Sequence, residues 1–180
     1  MTTMALPVMA AILVTEGLPR FRAFVGLGAN LGPARENLQA ALGELQALPW
    51  TGLEGVSSFY VTKAVGTDGP DYLNAVAALS TSLAPHELLN ALLAIELTLG
   101  RERPRPLAPR TLDLDLLWME GAKRNTMALT VPHPRMTERA FVQEPLAELL
   151  SQLPPKSTDP QPLSPTARAQ LAAQQGILLE

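Results

Sequence analysis

The order of strand-like and helix-like segments constrains the fold of this chain more than any other feature. A strand is predicted over residues 22–27, and after Pro33 apolar side chains recur at the three- and four-residue spacing of a helix until Pro49 ends the pattern. Two segments rich in β-branched and aromatic residues, 56–62 and 72–81, follow on either side of a glycine-rich turn. We therefore predict two strands that pair with each other.

A second helix is clearly delimited, because Pro85 suits its first turn and Gly100 suits the position after its last. The later predicted elements are a strand over residues 111–118, a short strand over residues 129–131, a helix over residues 138–150 that is interrupted near Pro145, and a final helix over residues 166–175. The order strand, helix, two strands, helix, strand is typical of a split β-α-β unit. It predicts an α+β fold with an antiparallel-rich sheet covered by helices.

A chain of 180 residues with 47% apolar side chains suits one globular domain, which we place at residues 21–153. Residues 154–180 are predicted to form a proline-rich connector and a C-terminal helix. Residues 1–20 are predicted to be a poorly ordered extension. Its apolar run, residues 4–14, is shorter than the roughly 18 residues that span a bilayer. No basic residue precedes this run and Glu16 follows it, which disfavours a signal peptide.

Composition and charge exclude several function classes. The chain has no cysteine, which rules out thiol nucleophiles and zinc thiolate sites and is compatible with a cytoplasmic enzyme. Its net charge of −3 does not indicate a nucleic acid or a membrane surface as the main partner. Residues 101–110, in contrast, contain four arginines and one glutamate, and this local excess of positive charge indicates a site for an anion.

Asp113 and Asp115 are two residues apart on a predicted strand, so both carboxylates point from one face while the alternating leucines point from the other. Like charges about 7 Å apart are unfavourable without a cation between them. Oxygen ligands with no His or Cys nearby favour Mg²⁺, which typically takes one or two carboxylates together with phosphate oxygens. A solvated strand face would show the same alternation, so the pattern alone leaves both interpretations open.

Cationic side chains are expected near this pair of carboxylates. Arg110 lies three residues before Asp113, and Arg101 begins the same proline-rich loop. Mg²⁺ held by carboxylates, with arginines clamping a polyphosphate, recurs in phosphoryl-transfer sites. His133 stands between two prolines that fix the direction of the backbone, which makes it a further candidate, although a loop histidine is often only structural.

Tyr72 and Asn74 alternate on a predicted strand, so a stacking ring and a bidentate amide share one face. Such a pair could recognise a flat heterocycle. Phe141, on a later helix, is a candidate for a second ring on the opposite side of that heterocycle. Each aromatic side chain taken alone is as readily explained as a core residue.

Five motifs in unbroken order resemble a known family. They are G-A-N-L-G at residues 28–32, V-S-S-F-Y at 56–60, P-D-Y-L-N-A at 70–75, P-R-T-L-D-L-D at 109–115 and V-P-H-P at 131–134. Together they resemble 6-hydroxymethyl-7,8-dihydropterin pyrophosphokinases of the folate pathway, and the last two motifs are the most specific. Residues 62–65 read T-K-A-V where members commonly carry T-P-P, which is a departure from the family pattern.

The resemblance implies a ferredoxin-like α/β plait, and an enzyme that moves the terminal pyrophosphate of ATP to the hydroxymethyl group of the pterin with two Mg²⁺ ions. Asp113 and Asp115 would bind the metal. The implied catalytic residues are Arg101, Arg110 and His133. The implied pterin-binding residues are Thr62, Val65, Tyr72, Asn74 and Phe141, and the implied nucleotide-binding residues are Leu116, Thr130, His133 and Arg139. We expect a monomer whose partners are these two small molecules.

Two other functions remain open on the residues alone. A phosphohydrolase could use the same paired aspartates, and a ligand-sensing module could share the topology without catalysing a reaction. A transferase needs the pterin-facing side chains beside the metal-binding carboxylates. A sensor would have no need for two carboxylates on one strand face.

Overall fold

The computed structural model describes residues 18–63, 69–100 and 110–180. The strands are β1 (Phe21–Ala29), β2 (Thr51–Val56), β3 (Tyr60–Thr62), β4 (Tyr72–Thr81), β5 (Asp113–Met119), β6 (Arg124–Asn125), β7 (Thr130–Val131) and β8 (Ile177–Leu179). The helices are α1 (Ala34–Ala47), α2 (Pro85–Thr98), α3 (Ala140–Gln152) and α4 (Pro165–Gln175). Within the described ranges, none of these helices has both the length and the apolar composition needed to cross a membrane.

Six of these strands form one sheet in the order β5-β1-β4-β3-β8, with β2 also paired to β4, while β6 and β7 form a separate two-stranded sheet. Every pairing in this sheet is antiparallel. β1 and β4 lie at its centre, and their register places Gly28 opposite Asn74. The predicted antiparallel sheet is confirmed, and so is the predicted pairing of the segments on either side of the glycine-rich turn.

Helices cover both faces of the sheet. On one face, Leu38 and Leu45 of α1 pack with Leu88 and Leu92 of α2 in the larger hydrophobic cluster. On the opposite face, α3 contributes to a second cluster that also contains side chains of β1 and β4. Both clusters are fully buried at their centres, which fixes the sheet between two helical layers. The prediction of an α+β plait is therefore confirmed.

The prediction of a single strand over residues 56–62 is wrong, because the chain leaves the sheet between β2 and β3. Ser57 accepts a hydrogen bond at its hydroxyl from the Val76 amide at 3.0 Å. Ser58 donates to Glu148 of α3 from both its amide (3.0 Å) and its hydroxyl (2.8 Å). The Ser57 amide still donates to the Val76 carbonyl at 2.9 Å, so the ladder is interrupted only after Ser57, where the Glu148 carboxylate accepts a hydrogen bond from the Ser58 amide.

The predicted interruption of the helix over residues 138–150 is also wrong, because α3 runs without a break through Pro145. A proline inside a helix removes one backbone hydrogen bond. Here Pro145 is buried, as are Leu146 and Leu149 on the same helix. Burial of these apolar side chains against the sheet offsets the lost hydrogen bond.

A buried arginine fastens the C-terminal connector to the first strand. Arg22 is 2% exposed, and its guanidinium pairs with Glu54 at 2.7 Å and with Asp159 at 2.8 Å. Glu120 accepts hydrogen bonds from the Arg22 amide at 3.1 Å and from the Lys156 ammonium at 3.0 Å. The segment after residue 153 therefore packs on the sheet, while the domain boundary placed there stays a prediction.

The short strand β8 was not predicted. It pairs with β3, and the register places Ile177 opposite Thr62. The chain turns into β8 at Gly176, whose φ of +62° lies in the left-handed region that favours glycine. The sheet therefore gains an edge strand from the C-terminal segment.

The other end of the sheet is β5, and two backbone groups of this strand bond outside the sheet. The Leu114 amide donates to the carboxylate of Glu96 at 2.7 Å, and Glu96 is 1% exposed. The Leu117 carbonyl accepts from the His133 amide at 2.7 Å. Residues of α2 and of the loop after β7 thus cover this edge.

Candidate active site

A cavity of about 540 Å³ opens where β1, β4 and β5 meet the start of α3 and the end of α4. Its lining contains most of the predicted site residues that the structure describes. These are Thr62, Tyr72, Asn74, Arg110, Asp113, Asp115, Arg139 and Phe141. The predictions for residues 1–17, for Val65 and for Arg101 lie outside the described residues.

Asp113 and Asp115 project from the same face of β5, with side chains 25% and 38% exposed. The neighbouring strand β1 places Gly28 opposite Asp113 and Gly26 opposite Asp115. Because glycine has no side chain, the space above the two carboxylates stays open to a ligand. The intervening Leu114 is 3% exposed and belongs to the core on the other face, as strand alternation predicts.

Each of these carboxylates pairs with an arginine. Arg110 forms an ion pair with Asp113, and the Arg139 guanidinium lies 3.2 Å from Asp115. Arg139 also lies over the ring of Phe141, 5.4 Å from its centroid, in the arrangement of a cation–π contact. Two carboxylates and two guanidinium groups, paired one to one, therefore line the same cavity.

Asn30, in the loop after β1, holds the backbone that carries Arg110. The side-chain oxygen of Asn30 accepts a hydrogen bond from the Arg110 backbone amide at 2.8 Å, and the backbone amide of Asn30 donates to the Arg110 carbonyl at 3.0 Å. Its side-chain nitrogen donates to the Pro70 carbonyl at 3.1 Å. Asn30 is 2% exposed, and it ties together two loops that border the cavity. The asparagine of the G-A-N-L-G motif therefore positions the backbone at Arg110 and at Pro70.

Thr62, Tyr72, Asn74 and Phe141 lie together at the other side of the cavity. Asn74 is 4% exposed and donates from its amide to the hydroxyl of Thr62 at 2.9 Å. This bond fixes the orientation of the Asn74 amide toward its neighbour on β3. Phe141 comes from α3, so rings from distant segments and a fixed amide meet in one pocket.

His133 lies next to the cavity and is not among the residues that line it. Burial lowers the pKa of His133, the Asp115 charge opposes this shift, and the charges of Arg139 and Arg135 lower the pKa further. Its Nδ1 accepts a hydrogen bond from the Arg135 amide at 3.1 Å. A neutral imidazole with Nδ1 as acceptor carries its proton on Nε2, which is then a donor.

The other two predicted nucleotide contacts lie elsewhere. Leu116 is 3% exposed, and its side chain belongs to the hydrophobic cluster on the far face of the sheet. A contact with nucleotide at this position would have to use its backbone. Thr130 stands half-buried on β7, outside the lining of the cavity.

Sequence reasoning missed several residues of the cavity wall. They are Lys63, Arg135, Glu138, Gln174 and Gln175. The two glutamines are far along the chain from every motif, on a helix whose polar pattern carries no functional signal. Only the packing of α4 against α3 brings them to the site.

Paired carboxylates and arginines in one cavity of an α+β plait are the groups from which phosphoryl-transfer sites are commonly built. The family model described as 7,8-dihydro-6-hydroxymethylpterin-pyrophosphokinase matches residues 24–151. The chain belongs to this family.

Relatives agree with this assignment. A protein of Synechocystis named 2-amino-4-hydroxy-6-hydroxymethyldihydropteridine pyrophosphokinase is 47% identical over 127 residues, covering 71% of this chain and 65% of that protein. The protein of the same name from Pseudomonas aeruginosa is 48% identical over 133 residues, covering 73% of this chain and 82% of that protein. The match thus spans slightly less than two thirds of the first relative and more of the second.

The fold has a counterpart among solved structures. The crystal structure of wild-type Plasmodium falciparum HPPK-DHPS with STZ-DHP matches 91% of this chain and 43% of that chain, with a TM-score of 0.60. The two sequences are 13% identical, so this similarity shows the fold alone.

Proposed function

We propose that this chain transfers the terminal pyrophosphate of ATP to the hydroxymethyl group of 6-hydroxymethyl-7,8-dihydropterin in folate biosynthesis, giving AMP and the pterin diphosphate. The observation that carries the proposal is the single cavity in which Asp113, Asp115 and Arg110 lie beside Asn74 and Phe141. A transferase of this kind needs the acceptor pocket next to the phosphate-binding groups. Family membership supports the same reaction.

The pterin side of the cavity contains two aromatic rings and a buried amide. Tyr72 and Phe141 offer faces for stacking on a flat bicyclic ring. Asn74 offers an amide whose orientation is fixed by its bond to Thr62. A fixed hydrogen-bond donor and acceptor beside aromatic faces select a planar heterocycle whose edge carries the complementary acceptor and donor. Ligands that leave the buried amide without hydrogen bonds bind more weakly.

The phosphate side fits Mg²⁺. The donor set is two partly exposed carboxylates on one strand face, and among the described residues no cluster of three metal-ligating side chains occurs. A pair of carboxylates completed by phosphate oxygens is the site that Mg²⁺ commonly takes in nucleotide enzymes. Asp113 and Asp115 would hold the metal, two ions by resemblance, and bound Mg²⁺ would neutralise the charge of the polyphosphate.

The arginines have a second use once ATP is bound. Arg110 and Arg139 neutralise Asp113 and Asp115 in this structure. Both guanidinium groups lie in the same cavity. When they are released from these ion pairs, they can form bidentate hydrogen bonds to phosphate oxygens. His133 would add a neutral donor at Nε2. These residues bind and orient the phosphates and neutralise charge as it develops.

In the reaction, the hydroxymethyl oxygen attacks the β-phosphorus of ATP. The bond between that phosphorus and the oxygen of the α-phosphate breaks, and AMP leaves. The hydroxyl proton leaves the attacking oxygen, and we assign no side chain as the base that takes it. The contribution of the protein is to bring the two substrates into line and to stabilise charge.

The test is to incubate the protein with Mg·ATP, with and without the hydroxymethyl dihydropterin, and to quantify AMP, pyrophosphate and pterin diphosphate. We expect AMP and pterin diphosphate in equal amounts, and only when both substrates are present. Release of phosphate or pyrophosphate from ATP without pterin would point to a hydrolase instead. Binding of both ligands with no product would point to a sensor, and either result would contradict the proposal.

Two further predictions accompany this function. We expect the protein to be a monomer whose partners are ATP and the pterin, with no nucleic acid or membrane among them. We also expect it in the cytoplasm, with which the absence of cysteine is compatible. Sedimentation at micromolar concentration and fractionation of the source cells would test these two points.

A further inference from the structure

The end of α4 belongs to the wall of the cavity although it lies well beyond residue 151, where the family match ends. Gln174 and Gln175, the last two residues of this helix, line the cavity. Gln175 is half-buried and makes two hydrogen bonds to α3 and the residues before it. Through these two hydrogen bonds, the C-terminal segment directly contacts the backbone at the edge of the substrate site.

The amide of Gln175 bridges the backbone on both sides of Arg139. Its side-chain oxygen accepts from the Ala140 amide at 2.8 Å, and its side-chain nitrogen donates to the Glu138 carbonyl at 2.8 Å. Ala140 is the first residue of α3, so its amide has no partner within the helix. Arg139, the N-cap residue, provides no side-chain hydrogen bond to the helix. Gln175 therefore supplies the cap of α3 from another helix.

The start of α3 carries two of the side chains that matter most to the site. Arg139 pairs with Asp115, and its guanidinium lies over the ring of Phe141. Both residues are within two positions of Ala140. A change in the direction of this first turn would therefore move the phosphate-side arginine and the pterin-side ring together.

The C-terminal segment is joined to the rest of the domain at both ends of α4. The Leu163 amide donates to Gln143 of α3 at 2.8 Å, just before α4 begins. After α4, β8 pairs with β3, the strand that carries Thr62. The Glu180 amide donates to the Phe59 carbonyl at 3.0 Å. The segment thus spans from α3 to the opposite wall of the cavity.

We propose that Gln175 is a positioning residue of the substrate site: by capping α3 it fixes Arg139 and Phe141 for the pterin and its attacking hydroxymethyl group. This inference rests on the proposed function for the identity of the ligand. Its geometric part, the cap on the helix that carries Arg139 and Phe141, does not.

The test compares Gln175→Met with Gln170→Ala. Methionine keeps the length of glutamine and removes both hydrogen bonds, while Gln170 is an exposed residue of the same helix that does not line the cavity. Pterin binding is measured by titration calorimetry with the protein saturated with the Mg²⁺ complex of α,β-methylene-ATP, which cannot be cleaved at the reacting bond. We expect the pterin Kd to rise roughly five- to tenfold in Gln175→Met, the scale of one weakened aromatic contact between Phe141 and the pterin, and not to change in Gln170→Ala.

A second measurement separates positioning from a general loss of stability. Gln175→Met is combined with Phe141→Ala, and the pterin Kd of the four proteins forms a double-mutant cycle. If Gln175 acts through the first turn of α3, its replacement should have a much smaller effect once the ring is gone. An undiminished effect in the Phe141→Ala background, or a wild-type Kd in Gln175→Met, would overturn the inference. A wild-type protein that does not bind the pterin would instead overturn the proposed function.

Discussion

At the scale of single residues, the site depends on a few charged side chains that the fold leaves partly exposed. Asp113 and Asp115 are neutralised by Arg110 and Arg139 rather than buried in the core. Partly exposed ion pairs contribute little to stability. Their substitution should therefore change chemistry and leave the fold intact.

Asp115→Asn should lower turnover by roughly 100-fold or more, the scale of one preorganised electrostatic group, because a metal ligand loses its charge. The free energy of unfolding should change little. Steady-state AMP formation at saturating Mg²⁺, together with Mn²⁺ binding followed by electron paramagnetic resonance, provides the measurement. Glu44→Gln, an exposed carboxylate on α1, is the matched control. Wild-type turnover and metal binding in Asp115→Asn would contradict the metal assignment.

Arg110→Ala should lower kcat by roughly 100-fold while changing the Kd of Mg·ATP much less, because a donor used mainly in the transition state affects rate more than ground-state binding. Asn30 holds the Arg110 backbone and not its side chain, so the loop anchor should survive the substitution. Rapid-quench measurement of kcat and calorimetry of the nucleotide separate the two effects. An unchanged kcat with much weaker ATP binding would assign Arg110 to ground-state binding alone.

At the scale of secondary-structure elements, the sequence predicted those boundaries that proline and glycine mark locally. β4 has the predicted bounds, and α2 begins at Pro85 as predicted, because proline and glycine mark these boundaries directly. β8 was missed because three residues are too few to show a period. The bond from Gln175 to Ala140 was missed because it joins positions 35 residues apart, and no local pattern encodes such a contact.

β1 and β4 are paired neighbours with little space between Gly28 and the Asn74 side chain, and Gly28→Ala should disturb this contact. A Cβ at Gly28 would lie 3.2 Å from the Asn74 side-chain oxygen, so the amide would have to shift away from its position beside Thr62. We expect the pterin Kd to rise roughly fivefold, as for one weakened hydrogen bond. Calorimetric titration with pterin in the presence of Mg·α,β-methylene-ATP measures this change.

Gly43→Ala is the control for that substitution. Gly43 lies on α1 with open space around the position of a Cβ, and alanine there should stabilise the helix by about 0.5 to 1 kcal/mol. Its pterin Kd should equal that of the wild type. Equal pterin affinities in Gly28→Ala and Gly43→Ala would show that the Asn74 amide tolerates displacement.

At the scale of the whole molecule, charged side chains far from the cavity join the C-terminal connector to the sheet. The Lys156 ammonium, with the Arg22 amide, holds the pKa of Glu120 below its ordinary value of 4.5. A carboxylate with a lowered pKa in the folded state adds stability above its unfolded pKa, and that stability is lost as the pH falls through the folded pKa. Attachment of the connector should therefore weaken in acid.

Lys156→Met should lower the free energy of unfolding at neutral pH by about 0.5 to 1 kcal/mol, the scale of a partly exposed ion pair. The difference from wild type should shrink only as the pH falls through the lowered pKa of Glu120 in the folded wild-type protein, because below that pKa Glu120 is protonated in both proteins. Urea unfolding curves at a series of pH values provide the measurement, with Lys123→Met as the exposed control. A difference that stays constant with pH would show that packing of the lysine stem, and not its charge, stabilises the connector.

The covered outer edge of β5 has a consequence for how copies of this protein meet. An uncovered edge strand is a template on which another chain can add a strand. Glu96 occupies the Leu114 amide and the His133 amide occupies the Leu117 carbonyl, so backbone groups that a foreign strand would need are already bonded. The strand that carries both carboxylates is thereby protected from edge-to-edge aggregation, and its exposed face remains accessible to small molecules.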